Sequence, residues 1–161
     1  MRPVRNRTRY ALVLAFGLAA MPAAAITGSI PALAVDNMNS TDAPDLTSVR
    51  AKIKAADYKG ALAELNVLAD THQHADVYNL MGFSLRKLGD YPAALTFYKK
   101  ALDFNADHKG AREYLGELYV EMGDLPKARE QLAVLTKLCP QGCEEREDLE
   151  KMLATKAAKV N

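Results

Sequence analysis

The strongest constraint on the fold is a repeat of 34 residues that starts at Ala75. Residues 75–108 align without a gap on residues 109–142. The matched residues are Gly82 with Gly116, Gly89-Asp90 with Gly123-Asp124, Pro92 with Pro126 and Ala94 with Ala128. A looser copy lies upstream, where Ala56-Asp57-Tyr58 matches the same turn. Self-similarity at this period is typical of proteins that stack one structural unit on the next.

Each unit is expected to form two helices around a turn. In residues 75–108 the apolar residues recur at three- and four-residue spacing on both sides of Gly89, which indicates two amphipathic helices. Gly89 is predicted to end the first helix, and Pro92 to lie in the first turn of the second. Gly82, Ala94 and Ala101 are small enough to let the two helices approach closely, with Tyr98 filling the space between them.

The unit resembles the tetratricopeptide repeat. The family's signature positions hold Tyr78, Met81-Gly82, Leu85, Gly89-Asp90-Tyr91, Ala94, Tyr98 and Ala101, with Ala106 in place of Pro. In the next copy they hold Arg112, Leu115-Gly116, Tyr119, Gly123-Asp124-Leu125, Ala128, Leu132, Leu135 and Pro140, of which Arg112, Leu132 and Leu135 depart from the pattern. The resemblance covers about residues 47–142. It implies an all-α helix-turn-helix solenoid.

Three repeats are expected, at about residues 46–74, 75–108 and 109–142. The first keeps only its second half, so its first helix, about residues 44–55, is expected to be short or frayed. Residues 143–161 are predicted to form a capping helix and tail. Glu144 and Glu145 open this helix, Leu149, Met152 and Leu153 share one face, and the rest is polar.

The resemblance also implies a concave groove lined by the first helix of each repeat. Its family positions fall on Arg50, Lys54, Asp76, Asn79, Phe83, Arg86, Lys87, Glu113, Glu117, Val120 and Glu121. The four-residue spacing of Asn79, Phe83 and Lys87 independently supports a shared face. The groove is expected to be basic at one end and acidic at the other, with Phe83 as an anchor between them. Alternatively, these charges only keep a small stack soluble.

The predicted groove would orient its ligand by charge. The acidic end of the ligand is expected to lie towards Arg86 and Lys87, and its basic end towards Glu117 and Glu121. The family's clamp for C-terminal carboxylates uses Lys, Asn and Arg, but the matching positions here hold Leu46, Arg50, Leu80, Gly110 and Tyr114. Binding of chaperone-type acidic tails is therefore not expected.

The first 25 residues have the organisation of a secretory signal peptide. A basic head with four Arg and no acid precedes the apolar run of residues 10–21, and Pro22 is followed by three Ala. Cleavage is expected after Ala25, with Ala34 as a second site. An uncleaved membrane anchor is the alternative, because residues 10–26 approach the lower limit for spanning a bilayer. Residues 26–45 are polar and are predicted to form a flexible linker. The predicted signal peptide implies export, and a bacterial periplasm is the expected location.

Cys139 and Cys143 are the only cysteines. In an exported chain this closely spaced pair favours a structural disulfide, while a redox-active pair or a zinc site remains an alternative. His72, His74 and His108 lie in loops between helices, where solvated turn residues are expected more often than metal ligands.

The motifs and the charge balance exclude several classes of function. Without residues 1–25 the chain has 17 basic and 20 acidic residues, which argues against a nucleic-acid binder. No nucleophile motif, phosphate loop or zinc-protease helix is present, so neither enzyme activity nor a cofactor or metal is expected. The sequence predicts an adaptor that binds a partner protein or peptide. A self-assembling envelope protein and, less favoured, a thiol-redox protein are the alternatives, and the oligomeric state stays open.

Overall fold

The computed structural model describes residues 43–158, and within them the chain forms seven α-helices and no strand. The helices are α1 Thr47–Lys54, α2 Tyr58–Thr71, α3 Ala75–Lys87, α4 Tyr91–Phe104, α5 Lys109–Met122, α6 Leu125–Leu138 and α7 Glu144–Ala158. The predicted signal peptide, nearly all of the predicted linker and the end of the predicted tail lie outside the described residues. No helix of residues 43–158 has both the length and the apolarity that are needed to cross a bilayer.

The helices pack as three antiparallel pairs in chain order, α1 with α2, α3 with α4 and α5 with α6, and α7 packs on α5 and α6. The all-α repeat fold expected from the sequence is confirmed. We number the pairs repeat 1, repeat 2 and repeat 3. Helix α1 has eight residues against 13 or 14 in the first helices of the next two repeats, in line with the weak first copy.

One turn design recurs in all three repeats. Asp57, Asp90 and Asp124 cap the second helices, because a carboxylate oxygen of each accepts a hydrogen bond from the backbone N–H three residues later, at 2.9, 3.1 and 3.2 Å. The residue before each capping Asp has a left-handed backbone conformation, with φ of +83° at Gly89 and +84° at Gly123. In repeat 1 this residue is Ala56, at φ +59°, a conformation that glycine adopts at lower cost.

The core has two clusters of buried side chains. The first lies around Val49, Leu65 and Tyr78 and joins α1, α2 and α3 to parts of α4 and α5, and the second joins α4 to α7 around Tyr98, Leu118 and Leu149. The close approach expected at Gly82 is present, because a Cβ at this position would lie 2.6 Å from a ring carbon of Tyr98.

Helix α7 begins 35 residues after the start of α5, one residue more than the repeat period. It occupies the position of the first helix of a further repeat, with Leu149 and Leu153 buried in the second cluster. Cys139 and Cys143 form a disulfide in the turn between α6 and α7. The last helix is therefore attached to the stack by apolar packing and by a covalent link at its start.

Candidate binding groove

Helices α1, α3, α5 and α7 together line two adjoining cavities, which we call the aromatic pocket and the acidic pocket. The aromatic pocket has a volume of about 200 Å³ and is lined by Arg50, Ile53, Lys54, Leu80, Phe83 and Tyr114. The acidic pocket has a volume of about 340 Å³ and five carboxylates in its wall, from Asp76, Glu113, Glu144, Glu145 and Asp148. Arg50, Leu80 and Tyr114 belong to both walls, so the pockets form one recess, the binding groove.

Phe83 belongs to an aromatic cluster and is half-buried. Its ring centroid lies 5.0 Å from that of Tyr114 and 6.3 Å from that of Tyr58. The Nζ of Lys87 lies 5.2 Å from the Phe83 centroid, a distance at which the cation and the ring attract each other. The neighbours fix the ring in place, and the part that they leave open forms a wall of the aromatic pocket.

Arg86 is not available to a ligand. Its side chain is only 3% exposed, and Nη2 donates to Glu117 at 2.5 Å while Nη1 donates to Glu121 at 2.9 Å. The guanidinium carbon also lies 5.7 Å from the ring centroids of Phe83 and Tyr114. The sequence predicted that a ligand's acidic end lies towards Arg86 and Lys87 and its basic end towards Glu117 and Glu121, but in the structure Arg86, Glu117 and Glu121 pair with one another. They join α3 to α5.

The basic character of the groove comes from other side chains. Arg50 and Lys54 are exposed on α1 and line the aromatic pocket. Lys87 is exposed beside Phe83. The α1 end of the groove is therefore basic, and the α5 and α7 end is acidic.

The acidic pocket contains two strongly buried polar residues. Asn79 is 5% exposed, and its Oδ1 has no hydrogen-bond partner among the described residues. Glu113 is 8% exposed, and burial, together with the charges of Glu117, Asp148 and Glu145, raises its pKa to about 8. A hydrogen bond from His108 lowers the pKa of Asp76. The pocket thus has a negative potential that its own side chains leave largely uncompensated.

The histidines have a more specific role than that of solvated turn residues. The backbone N–H groups of Asp76 and Ala111 donate to Nδ1 of His74 and His108, at 3.2 and 3.1 Å, so both rings cap helices. With its Nδ1 accepting, His108 donates from Nε2 to Asp76 Oδ1 at 2.9 Å. His72 lies apart, with its Nδ1 2.9 Å from the Thr71 hydroxyl. No metal-ligating group of three His, Cys, Asp or Glu occurs within residues 43–158.

Residues 85–145 match the family model of the tetratricopeptide repeat. Tetratricopeptide-repeat sequence is therefore shown over these residues, in line with the helical repeats of the fold. Over 65 residues it is 35% identical to the uncharacterized protein ycf37 of Pyropia yezoensis, a match that covers 40% of this chain and 36% of that protein. The chain thus spans little more than a third of the length of this relative.

Two solved structures show the same fold at low sequence identity. PcrH, in complex with the chaperone binding region of PopD, is 17% identical with a TM-score of 0.61, and the match covers 71% of this chain and 89% of PcrH. The type III secretion translocator chaperone SycD of Yersinia enterocolitica is 16% identical with a TM-score of 0.63, over 74% of this chain and 97% of SycD. At this level of sequence identity, these similarities show the fold alone.

The binding groove includes residues that the sequence did not predict to lie in it. The sequence placed Glu144 and Glu145 at the start of the predicted capping helix and outside the groove, yet both line the acidic pocket together with Asp148. The 34-residue period contained the signal for this, because its extension past residue 142 predicts another first helix there. Val120 is 2% exposed and lines a further cavity of about 370 Å³ between α5 and α7. The assignment of the predicted groove residues to partner binding stays a prediction.

Proposed function

We propose that this tetratricopeptide array is a protein-binding module that holds a segment of a partner protein in the binding groove. The observation that carries the proposal is the pair of adjoining pockets, one aromatic and one acidic, with Arg50, Leu80 and Tyr114 in both walls. Neighbouring pockets of different chemistry can each take one side chain of the same bound segment. Support also comes from PcrH, a protein of the same fold whose crystal structures contain the chaperone binding regions of PopD and PopB.

The role we propose is binding without catalysis. The walls of the aromatic and acidic pockets contain no Ser, Thr or Cys, so the groove offers no aliphatic hydroxyl or thiol nucleophile. The two cysteines are joined to each other in the α6–α7 turn. The carboxylates of the groove then act as hydrogen-bond acceptors and as charges, which are the groups that a recognition surface uses.

We further propose that the protein works in an exported state, in a bacterial periplasm. The signal-peptide pattern of residues 1–25 supports export, and the Cys139–Cys143 disulfide suits an oxidising compartment. Fractionation of cells that produce the full chain, followed by mass spectrometry of the product, tests this. A periplasmic product that starts at residue 26 or 35 is expected, a full-length membrane-bound product would point to the uncleaved anchor, and a full-length cytosolic product would refute export.

A display library of random 12-residue peptides provides the test of binding. Selection on the folded chain is expected to enrich peptides that bind with micromolar affinity. The Phe83→Ala variant should weaken this binding at least tenfold, because it removes a wall of the aromatic pocket. Phe104→Ala is the matched control, since Phe104 is an exposed ring on α4 that lines neither pocket.

Circular dichroism checks that both variants keep the helical fold. Enriched peptides that bind the two variants equally well would show that the groove is not the site. A library that yields no binder on the folded chain would refute the proposed function.

A further inference from the structure

We propose that the acidic pocket selects a lysine or arginine side chain that lies next to the apolar residue filling the aromatic pocket, so that the ligand is a basic-apolar segment of a partner protein. This inference rests on the proposed function and names the class of segment that the groove takes.

The first argument is the imbalance of charge around the acidic pocket. Five carboxyl groups and one guanidinium, that of Arg50, line it. The raised pKa of Glu113, about 8, keeps this group largely protonated at pH 7, so the other four carboxylates carry the negative charge. Asp76 is hydrogen-bonded to His108, whereas Glu113, Glu145 and Asp148 form no ion pair within residues 43–158. A cation that enters the pocket would be attracted by several carboxylates at once, in surroundings less polar than bulk water.

The second argument is Asn79, which is independent of the acidic residues. Its Oδ1 is buried and lacks a hydrogen-bond partner, although the residue lines the pocket. A buried amide oxygen without a partner is unfavourable, so a donor that reached it would remove this cost. Gly110 lies next to it, since a Cβ there would be 3.4 Å from Nδ2 of Asn79, an ordinary contact distance.

The lining therefore consists mainly of hydrogen-bond acceptors. Lys and Arg side chains carry only donors, which makes them the complementary guests among the side chains of proteins. A metal ion suits the pocket less well, because no three ligand-type side chains converge within the described residues. The negative potential also disfavours phosphate groups, and with them nucleic acids.

The position of the shared wall residues links the cation to an apolar neighbour. Leu80 and Tyr114 separate the two pockets and belong to both. A segment that places its apolar side chain against Phe83 and Leu80 would have its next side chains above the acidic pocket. The aliphatic stem of a Lys or Arg side chain can then pass along the Tyr114 ring while its charged end reaches the carboxylates.

The library selected on the folded chain tests the sequence preference. Among groove binders, whose binding Phe83→Ala weakens at least tenfold, Lys or Arg is expected within two positions of Leu, Ile, Met or Phe more often than in the unselected library. Substitution of that basic residue by Glu in a fluorescein-labelled copy should weaken binding at least tenfold in fluorescence polarisation.

The double variant Glu145→Lys/Asp148→Lys tests the pocket itself. It should reduce the preference for Lys over Glu at least fivefold, while Glu147→Lys/Glu150→Lys, with the same charge change on exposed positions of the same helix, should preserve it. Groove binders without a basic preference, or a preference that survives Glu145→Lys/Asp148→Lys, would overturn this inference and leave the proposed function standing. A library without any groove binder would overturn both.

Discussion

Repeat 2 and repeat 3 share one sequence pattern but complete their cores in different ways. In repeat 2, Gly82 packs against Tyr98 on the second helix of the same repeat. In repeat 3, the equivalent Gly116 packs against Leu149 of α7, and a Cβ there would lie 2.4 Å from a Leu149 methyl carbon. The contact made by the glycine therefore lies within repeat 2, whereas in repeat 3 the equivalent contact is made with α7, outside the repeat.

A second matched position shows the same contrast. Tyr78 of repeat 2 is 2% exposed, and its ring lies 5.2 Å from Phe104 and 6.4 Å from Phe97. Its equivalent in repeat 3 is Arg112, which donates to the Ala106 carbonyl from Nε and Nη2, at 3.1 and 3.0 Å, and to Gln131 at 2.9 Å. Apolar packing at one repeat is replaced by hydrogen bonds at the next. The repeat pattern thus fixes where a contact lies, and the neighbouring element decides its chemistry.

Loss of Arg86 should have the largest effect, because this residue joins the two repeats. Arg86→Met removes the cation between Glu117 and Glu121 and leaves two partly buried carboxylates side by side. Breaking a buried pair in this way costs about 3–5 kcal/mol, and the partial exposure of both acids places the expected loss near about 3 kcal/mol. Urea unfolding at pH 7 measures it.

Lys87→Met is the control for this experiment, since it removes an exposed cation from the adjacent position of the same helix. Its expected effect is below about 0.5 kcal/mol. Equal losses for the two variants would mean that the ion pairs do not couple repeat 2 to repeat 3.

The glycine pair directly tests the contrast between the two repeats. Gly82→Ala would force a Cβ against the ring of Tyr98, which is fully buried and cannot turn away, so a loss of about 2 kcal/mol is expected. Gly116→Ala meets the methyl ends of Leu149, which is also fully buried but is a smaller side chain with rotatable methyl ends, so a smaller steric cost is expected. Both variants gain about 1 kcal/mol of helix propensity, which offsets much of that smaller cost.

Chemical denaturation of the two alanine variants gives both values. A larger loss of stability in Gly116→Ala than in Gly82→Ala would show that the glycine of repeat 3 is packed more tightly than the glycine of repeat 2.

The period of the sequence predicts most of the fold for a physical reason. Turn chemistry is local, so Gly89-Asp90 and Gly123-Asp124 identify the helix ends without reference to the rest of the chain. The role of α7 was underestimated, because its apolar residues indicate a packed face but do not say which helix they contact.

The site was harder to predict, because helical spacing places residues on a face without stating how deeply they are buried. Arg86 was assigned to the open groove, yet it lies beneath the rings of Phe83 and Tyr114 and pairs with acids from the next repeat. Contacts between residues 31 and 35 positions apart depend on how the repeats stack. Such stacking is a tertiary property, which one sequence does not reveal.

The disulfide should stabilise the region that distinguishes repeat 3, where α7 packs on α5. Cys139 and Cys143 close a ring of about five residues, for which the chain-entropy model gives a stabilisation of about 2 kcal/mol. Reduction should lower the free energy of unfolding by this amount and increase amide exchange in α7 and α5, with little change in α3 and α4. The Cys139→Ser/Cys143→Ser variant should show no response to reductant. Uniform exchange over all three repeats after reduction would refute a local role.

A pH dependence is expected at the groove position where the repeats differ, Asn79 in repeat 2 and Glu113 in repeat 3. The pKa of Glu113 is raised to about 8 in the folded state from 4.5, so between these values the folded chain binds more protons than the unfolded chain. Stability contributed by this group therefore falls as pH rises from about 5 to 8. The charged groups that act on it are Glu117 on its own helix, Asp148 and Glu145 on α7, and Arg86 on α3.

The Glu113→Gln variant isolates this contribution, because it keeps the shape of the side chain and removes its titration. The variant should gain stability over the original chain as pH rises, with the difference small at pH 5 and largest near pH 8. Glu130→Gln, on an exposed position of α6, should give a constant difference over the same range. Parallel curves of unfolding free energy against pH for the original chain and Glu113→Gln would show that burial does not shift the pKa of Glu113. Position 113 of repeat 3 would then contribute as little pH dependence as the neutral Asn79 of repeat 2.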